Sequence, residues 1–581
     1  MRLLEAAAAH DPALLPGFWD RALFSFADLP YRLKPHAAML ASPKQTIYFD
    51  EPAHQRAQAR ALRLGADGLL VCSGETVDDR AEARADPPTP PLLATLGEKL
   101  VILLLAKAGS LVPGGGLWLH TQRPEWNDAN NALVGNGLSL VTLAHLRRFL
   151  VFLQALPGAD QPFALAAATL DAVTAFGALL RATPVDVVHS SAGRRAFLDA
   201  AGGLLDPWRA AVYRGVAGRQ PARAPAGLLT TLAQDLLPLV DATLAVSRRA
   251  DGLFQSYQLL DFSTGQADIT ELYPMLEGQV ALLSSGYLSL AESVALLDTL
   301  FVSPLFEPRR NSFLLYPDRQ LPGFLQRNQL DAAALALPVV QALLASGRSD
   351  LLQQQSDGAV RFAPALANRG DLEAAGADLG ADLRPLAEAY ERVLQHHQFT
   401  GRSGTMFAYE GLGCIYWHMV AKLLLVVQER VFDAADLQAP EGAALQAHYR
   451  RVRGGLGYRK SAAAYGAFPA DPYSHTPGEG GAQQPGMTGQ VKEEVLTRWG
   501  ELGLRMRAGQ VCFNPVLLDA AELPEGGTLT FTWARVPYTY RRGPVTRLRV
   551  LTDSGWLDCP GLSFEPKGVL AVEADCALLA A

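Results

Sequence analysis

Cysteine is scarce and unpatterned. The five present, Cys72, Cys414, Cys512, Cys559 and Cys576, are odd in number and scattered, with no CxxC pair. That argues against a disulfide framework in a chain of 581 residues, and reduced, partly buried thiols are expected. Positive charge is not in surplus either. Lys and Arg number 51 against 58 Asp and Glu, a net charge of -7, the wrong balance for a nucleic-acid partner. Long apolar runs are missing as well. The most apolar stretch, 100–112, is interrupted by Lys107 and too short to cross a bilayer, so no membrane partner is expected. The first residues, MRLLEAAAAHDPALLPGFWDR, place Glu5, His10 and Asp11 where an export signal needs an unbroken apolar segment. A cytoplasmic location is therefore the expectation. No fixed repeat of 30–45 residues is found, which weighs against an α-solenoid.

What is there suits a large folded core. Hydrophobic residues make up 49% and charged residues 19%, and the length calls for two or three structural units. Residues 1–91 mix short helical patterns with strand-like pieces (46–50 and 67–72) and end in a charged, proline-rich linker. From 92 to 507 the pattern is helical. Candidate helices cover 92–112, 137–156, 162–182, 190–215, 227–247, 289–301, 329–345, 382–397, 412–432 and 489–503, many with apolar residues three and four apart. Leu143, Leu146, Leu150 and Leu153 share one such face, with Arg147 and Arg148 off it. Ser289 and Glu292 have the spacing of a capping box. From 508 to 581 alternating segments between glycine-rich turns read as a small β-domain. Helical hairpins closed into a toroid fit this order.

Three segments carry candidate chemistry. In 116–139, Glu125, Trp126, Asn127, Asp128, Asn130 and Asn131 crowd two carboxylates, an indole and three amides into seven residues. Breaking a glycosidic bond needs a carboxylic acid for the departing oxygen, and an aromatic face commonly holds the sugar. An Asx-rich turn capping the next helix accounts for the same residues. In 396–429, a glycine-rich loop with Arg402, Tyr409 and Glu410 precedes a helix with Tyr416, Trp417 and His418 near its start. His418 reads more simply as a hydrogen-bonded core histidine, and the His396–His397 pair lacks the spacing of a metal site. In 465–504, a long loop with Tyr473, His475, Thr476, Glu479, Gln484 and Thr488 leads into a helix holding Glu493 and Glu494. Acidic residues in a first helical turn are explained equally by the helix dipole.

PEWNDANNALVGNG resembles the W-N-D loop of cellobiose phosphorylase-like enzymes of the six-hairpin glycosidase superfamily. The resemblance implies a mainly α fold: an (α/α)6 toroid at 92–507, a short mixed N-terminal segment, and a small C-terminal β-domain. It implies a carbohydrate-active enzyme that cleaves a glycosidic bond with inversion, by phosphorolysis in preference to hydrolysis. Asp128 falls on the general acid of that family, and Glu125 on a second acidic position just before the tryptophan. Phosphate is then held by His475, Thr476, Thr488 and Arg402. For hydrolysis the base is Glu410, Glu479, Glu493 or Glu494. Trp126, Asn127, Asn130, Asn131, Tyr409, Trp417, Tyr473 and Gln484 complete the expected sugar contacts. No metal and no cofactor is expected beyond inorganic phosphate as co-substrate. The partner is an oligosaccharide or disaccharide.

The first 91 residues are too few for the large β-sandwich that usually precedes this barrel. That leaves open a homo-oligomer, a separate chain bearing the sandwich, or a non-catalytic carbohydrate-binding or scaffold protein on the same toroid. Zinc chemistry of the lanthionine-cyclase kind needs a Cys/Cys/His set, for which Cys414, Cys512 and His475 are the nearest material.

Overall fold

The computed structural model describes residues 2–25, 30–58, 61–64, 70–73, 93–120, 133, 135–214, 220–318, 324–379, 382–394, 413–456, 460–469, 473–478, 480–485 and 489–578. Among the described residues helix outweighs strand, 47% to 20%. The largest core joins Leu96–Ala108, Leu140–Ala155, Ala167–Ala182, Leu228–Val246, Leu276–Ser284 and Trp417–Asp436. In Leu140–Ala155 the periodic leucines Leu143, Leu146, Leu150 and Leu153 are buried, and Ser139 Oγ caps the first turn by accepting from Thr142 N at 3.0 Å. The two arginines off that face tie helices together. Arg147 pairs with Asp241 at 2.6 Å, and Arg148 with Glu5 at 2.8 Å and Glu429 at 2.9 Å. Ser289 and Glu292 close a capping box at the head of Leu290–Val302.

Several expected helices turn out to be a short strand followed by a helix. Gly137–Ser139 precedes Leu140–Ala155, Ala164–Ala166 precedes Ala167–Ala182, and Cys414–Tyr416 precedes Trp417–Asp436. Three apolar residues running straight into an apolar helix show no change of period, so the pattern merges them. The segment 329–345 is broken into Ala332–Leu335 and Pro338–Ser346, because Pro338 cannot continue a helix but suits a first turn. Leu228–Val246 is long and apolar enough to cross a membrane by length and composition. Its leucines face the core, and its acidic residues Asp235 and Asp241 pair with Arg181 and Arg147 of neighbouring helices.

One antiparallel sheet runs in the order Asp268–Glu271, Tyr257–Asp261, Gly137–Ser139, Gly116–Trp118, Leu111–Val112. Its neighbouring strands Gly116–Trp118 and Gly137–Ser139 flank the stretch 121–132. A second sheet runs in the antiparallel order Cys414–Tyr416, Tyr473–Pro477, Gln483–Pro485. Helix Leu276–Ser284 presses on the residues before Tyr257. Gly278 N donates to Ser256 Oγ at 2.9 Å, and a Cβ on Gly278 would lie 2.2 Å from that oxygen.

Among the described residues three smaller clusters are separate from the main core, one of them, with Val112, Trp118, Leu138 and Leu260, on the first sheet. Within 324–394, Leu330, Val340, Leu352, Phe362, Leu372, Leu386 and Tyr390 form a cluster separate from the main one. The sequence pattern had placed these helices in the single unit 92–507. The C-terminal strands pack around Tyr538, Tyr540, Val550 and Val572. Strand Leu504–Arg507 belongs with them, joined to Gln510–Phe513 through the turn at Ala508 and Gly509. The tail therefore begins a few residues before 508.

The separate core makes a prediction. Residues 321–397 expressed alone will give helical circular dichroism and one cooperative thermal transition. Phe362→Ala, which empties a site 1% exposed, will lower stability by about 3–5 kcal/mol. Absence of any cooperative transition would show that this core needs the rest of the chain.

Candidate functional site

Three helices and the second sheet bring ionisable side chains together inside an otherwise apolar interior. Helix Leu276–Ser284 is buried nearly all round, yet its second residue is Glu277. The Tyr257 hydroxyl donates to Glu277 Oε2 at 2.7 Å. Helix Trp417–Asp436 contributes His418 and, one turn on, Lys422 on the same side. Helix Gly489–Glu501 contributes Glu493, whose Oε1 lies 3.5 Å from His418 Nε2. The other ring nitrogen, Nδ1, is 3.3 Å from the Tyr416 hydroxyl. Strand pairing places Tyr416 opposite His475, and their rings stack at 4.8 Å. Glu277, Tyr416, His418, Lys422, His475 and Glu493 are each half-buried, so the cluster borders a recess rather than closed core.

The electrostatics follow from that placement. Burial raises the Glu277 carboxyl above its ordinary value, against the Tyr257 hydrogen bond and the charges of Lys422 and His418. Burial also raises the Tyr416 phenol, helped by the negative charges of Glu277 and Glu493. Glu493 Oε2 is buried without a hydrogen-bond partner, an arrangement that costs free energy unless a ligand or proton completes it. Two carboxyl groups facing an imidazole and an ammonium can bind an oxyanion, hold a proton, or orient hydroxyl groups.

The described segments that precede and follow the 324–394 unit in sequence, ending at 318 and resuming at 413, meet at this recess. Leu314 bridges Ile415, Leu315 N donates to Cys414 O at 3.0 Å, and Leu276 N donates to Leu315 O at 3.1 Å. The chain therefore leaves for that unit beside the start of Glu277's helix and returns immediately before Tyr416.

The residues singled out from sequence divide into three groups. Glu125, Trp126, Asn127, Asp128, Asn130, Asn131, Arg402, Tyr409, Glu410, Glu479, Thr488 and the His396–His397 pair lie outside the described residues, as does the Gln484 side chain. Glu493 and His475 come together in the recess, with Tyr473 on the same strand face as His475. Trp417, expected at the sugar, and Thr476, expected at phosphate, are packed inside the core instead. Both are 0% exposed, and the Trp417 indole N–H donates to Thr476 Oγ1 at 2.8 Å. They brace the recess wall from behind. Glu494 is half-buried and about 100° round the helix from Glu493. Because the helix begins at Gly489, both glutamates sit in its second turn, beyond the first turn where the dipole acts most strongly.

His418, read from sequence as a core histidine, occupies the middle of the cluster. Glu277, Tyr257 and Lys422 were not singled out at all. The available signal was a charge inside an apolar run, in MLEGQVALL and MVAKLLLVV. Among the described residues, no three His, Cys, Asp or Glu side chains gather in a metal-holding group. Cys414 and Cys512 lie in different sheets.

At the root of the stretch 121–132, His120 has φ +52°, and its ring lies 4.3 Å from that of Trp118 at a tilt of 35°. Burial, then the charge of Arg209, pushes its pKa down to about 3, so the ring stays neutral at physiological pH.

Behind Trp417, Lys460 packs its ammonium 4.3 Å above the indole and donates to Gly455 O. Burial, with Arg310 adding to it, lowers the Lys460 pKa to about 7. A lowered lysine pKa means that the unfolded chain binds more protons between pH 7 and 10.5, so stability rises with pH across that window. The difference in unfolding free energy between wild type and Lys460→Met is predicted to grow in favour of wild type from pH 7 to 10. Denaturant titrations at several pH values measure it, and a difference independent of pH would contradict the placement.

Residues 321–397 match the family model described as GH149 phosphorylase insertion domain 2, and this stretch encloses the separately cored unit. The chain matches no curated protein. The family match covers that stretch alone and is a likeness to an insertion domain of GH149 phosphorylases.

Proposed function

We propose that this chain carries the catalytic barrel of an inverting glycoside phosphorylase, with its helices arranged as an (α/α)6 toroid and an oligosaccharide or disaccharide as substrate. The observation that carries the reading is the phosphorylase-type insertion at 321–397, which in sequence lies between Leu315 and Cys414, a pair joined beside the Glu277 helix and Tyr416. An insertion so placed borders the recess where substrate would enter.

In this reading Asp128 is the general acid and Glu125 its neighbour. The Asp128 proton passes to the departing glycosidic oxygen. A phosphate oxygen forms the new bond to the anomeric carbon from the opposite face as the old C–O bond breaks. The products are a sugar 1-phosphate and the released sugar, and phosphate or water returns a proton to Asp128. His418, Lys422 and His475 supply positive charge or N–H donors suited to phosphate, with Arg402 and Thr488 as further candidates. Glu277, held by Tyr257, suits a sugar hydroxyl, because a carboxyl with a raised pKa can donate as well as accept.

Hydrolysis is the second reading. It is favoured by one observation, the bare Glu493 Oε2 beside His418, where a water-activating base would stand. The test is a product assay on a panel of α- and β-linked disaccharides, with and without phosphate, comparing wild type with Asp128→Asn. Sugar 1-phosphate formed only with phosphate, and reduced by about 10²-fold or more in the variant, is the expected result. Free sugar formed regardless of phosphate, and lost in Glu493→Gln, would replace the proposal with hydrolysis. Sugar binding without turnover, unaffected by Asp128→Asn, would replace it with a carbohydrate-binding role.

A further inference from the structure

A cleft of about 340 Å³ lies away from the recess, between the strand pair Tyr31–Leu33/Ile47–Phe49 and the C-terminal end of helix Ser191–Tyr213. Its walls carry four cations, Arg32, Lys34, Arg209 and Arg214, and two phenols, Tyr48 and Tyr213. Two of the cations are neutralised: Arg32 pairs with Asp50 at 2.7 Å, and Arg209 with Asp206 at 2.6 Å. Asp206 is further engaged by His36 N at 2.8 Å, which fixes it in place. Lys34 and Arg214 make no ion pair with a described carboxylate. The cleft therefore holds a surplus of two positive charges, on a chain whose net charge is -7.

We propose that this cleft is a second ligand site, which binds a small phosphate monoester carrying a ring. A phosphate monoester is close to a dianion at neutral pH, so it matches the two unbalanced cations. Bare phosphate would leave most of the volume empty, whereas a pocket of this size suits a small organic ligand. Tyr48 and Tyr213 offer flat, amphipathic faces for the ring, and Arg32 already stacks on Tyr213 at 4.9 Å from the ring centre. The rigid half of the site is preformed: Arg32 is 6% exposed and donates to Tyr213 O at 3.2 Å, and Leu33 N donates to the Tyr213 hydroxyl at 3.1 Å. Arg209, on the cleft wall, also acts electrostatically on the buried His120.

The test is calorimetric titration of the full chain with glucose 6-phosphate, adenosine 5′-monophosphate, inorganic phosphate and glucose. It is run on wild type, on His418→Ala, and on both with Lys34→Ala and Arg214→Ala added. At least one monoester should bind the His418→Ala chain with one site, more tightly than inorganic phosphate, and glucose should not bind there. The added pair should weaken that binding by about tenfold or more, with thermal stability unchanged. Which monoester binds identifies the ring. Failure of both monoesters to bind, equal binding of inorganic phosphate, or indifference to the paired substitution would overturn the proposal. A binding event lost only in His418→Ala reports on the recess and leaves the cleft result separate.

Discussion

Burial of helix Trp417–Asp436 is the constraint on which the rest depends. Trp417, Val420, Leu423, Leu424, Val427 and Val431 are all nearly or wholly buried, and the helix packs against Leu276–Ser284, Gly442–Gly454 and Gly489–Glu501. A helix apolar on most sides can only be a central element. Once it is central, its few polar positions are held wherever the packing puts them. His418 and Lys422 are such positions, and the helices that must cover their neighbours bring in Glu277 and Glu493. Strand Cys414–Tyr416, running directly into the helix, sets Tyr416 against His475 and fixes the opening turn. Recess and core are thus one construction.

The cost of placing charge there shows in how each group is held. Glu277 has a phenol on one oxygen, His418 lies between a phenol and a carboxylate, and Lys460 behind the wall is largely desolvated. These arrangements are less favourable than apolar packing of the same volume. Folds keep them where chemistry needs a shifted proton affinity or an unsatisfied acceptor. In the proposed reading the bare Glu493 oxygen is such an acceptor.

The sequence made the helices legible where one face is buried and the other is not, as in Leu140–Ala155 with its leucine stripe and off-face arginines. It hid Leu276–Ser284, whose residues are buried all round, so no stripe marks it and Glu277 went unnoticed. The three-residue strands before helices were absorbed for want of a change in period. Trp417 looked like a sugar platform because indoles often are, but Thr476 takes its N–H inside the core. The 324–394 unit was invisible as a unit, since its helices have ordinary patterns and only contacts reveal a separate core. Lys34 and Arg214 are far apart in sequence, and only the fold brings them to one cleft.

The most direct measurement is proton and phosphorus NMR of the first product formed from an accepted disaccharide in the presence of phosphate. The account predicts a sugar 1-phosphate whose anomeric configuration is opposite to that of the bond cleaved, because phosphate attacks the face away from Asp128. A sugar 1-phosphate with the original configuration would contradict the single-displacement geometry, and free sugar alone would contradict phosphorolysis.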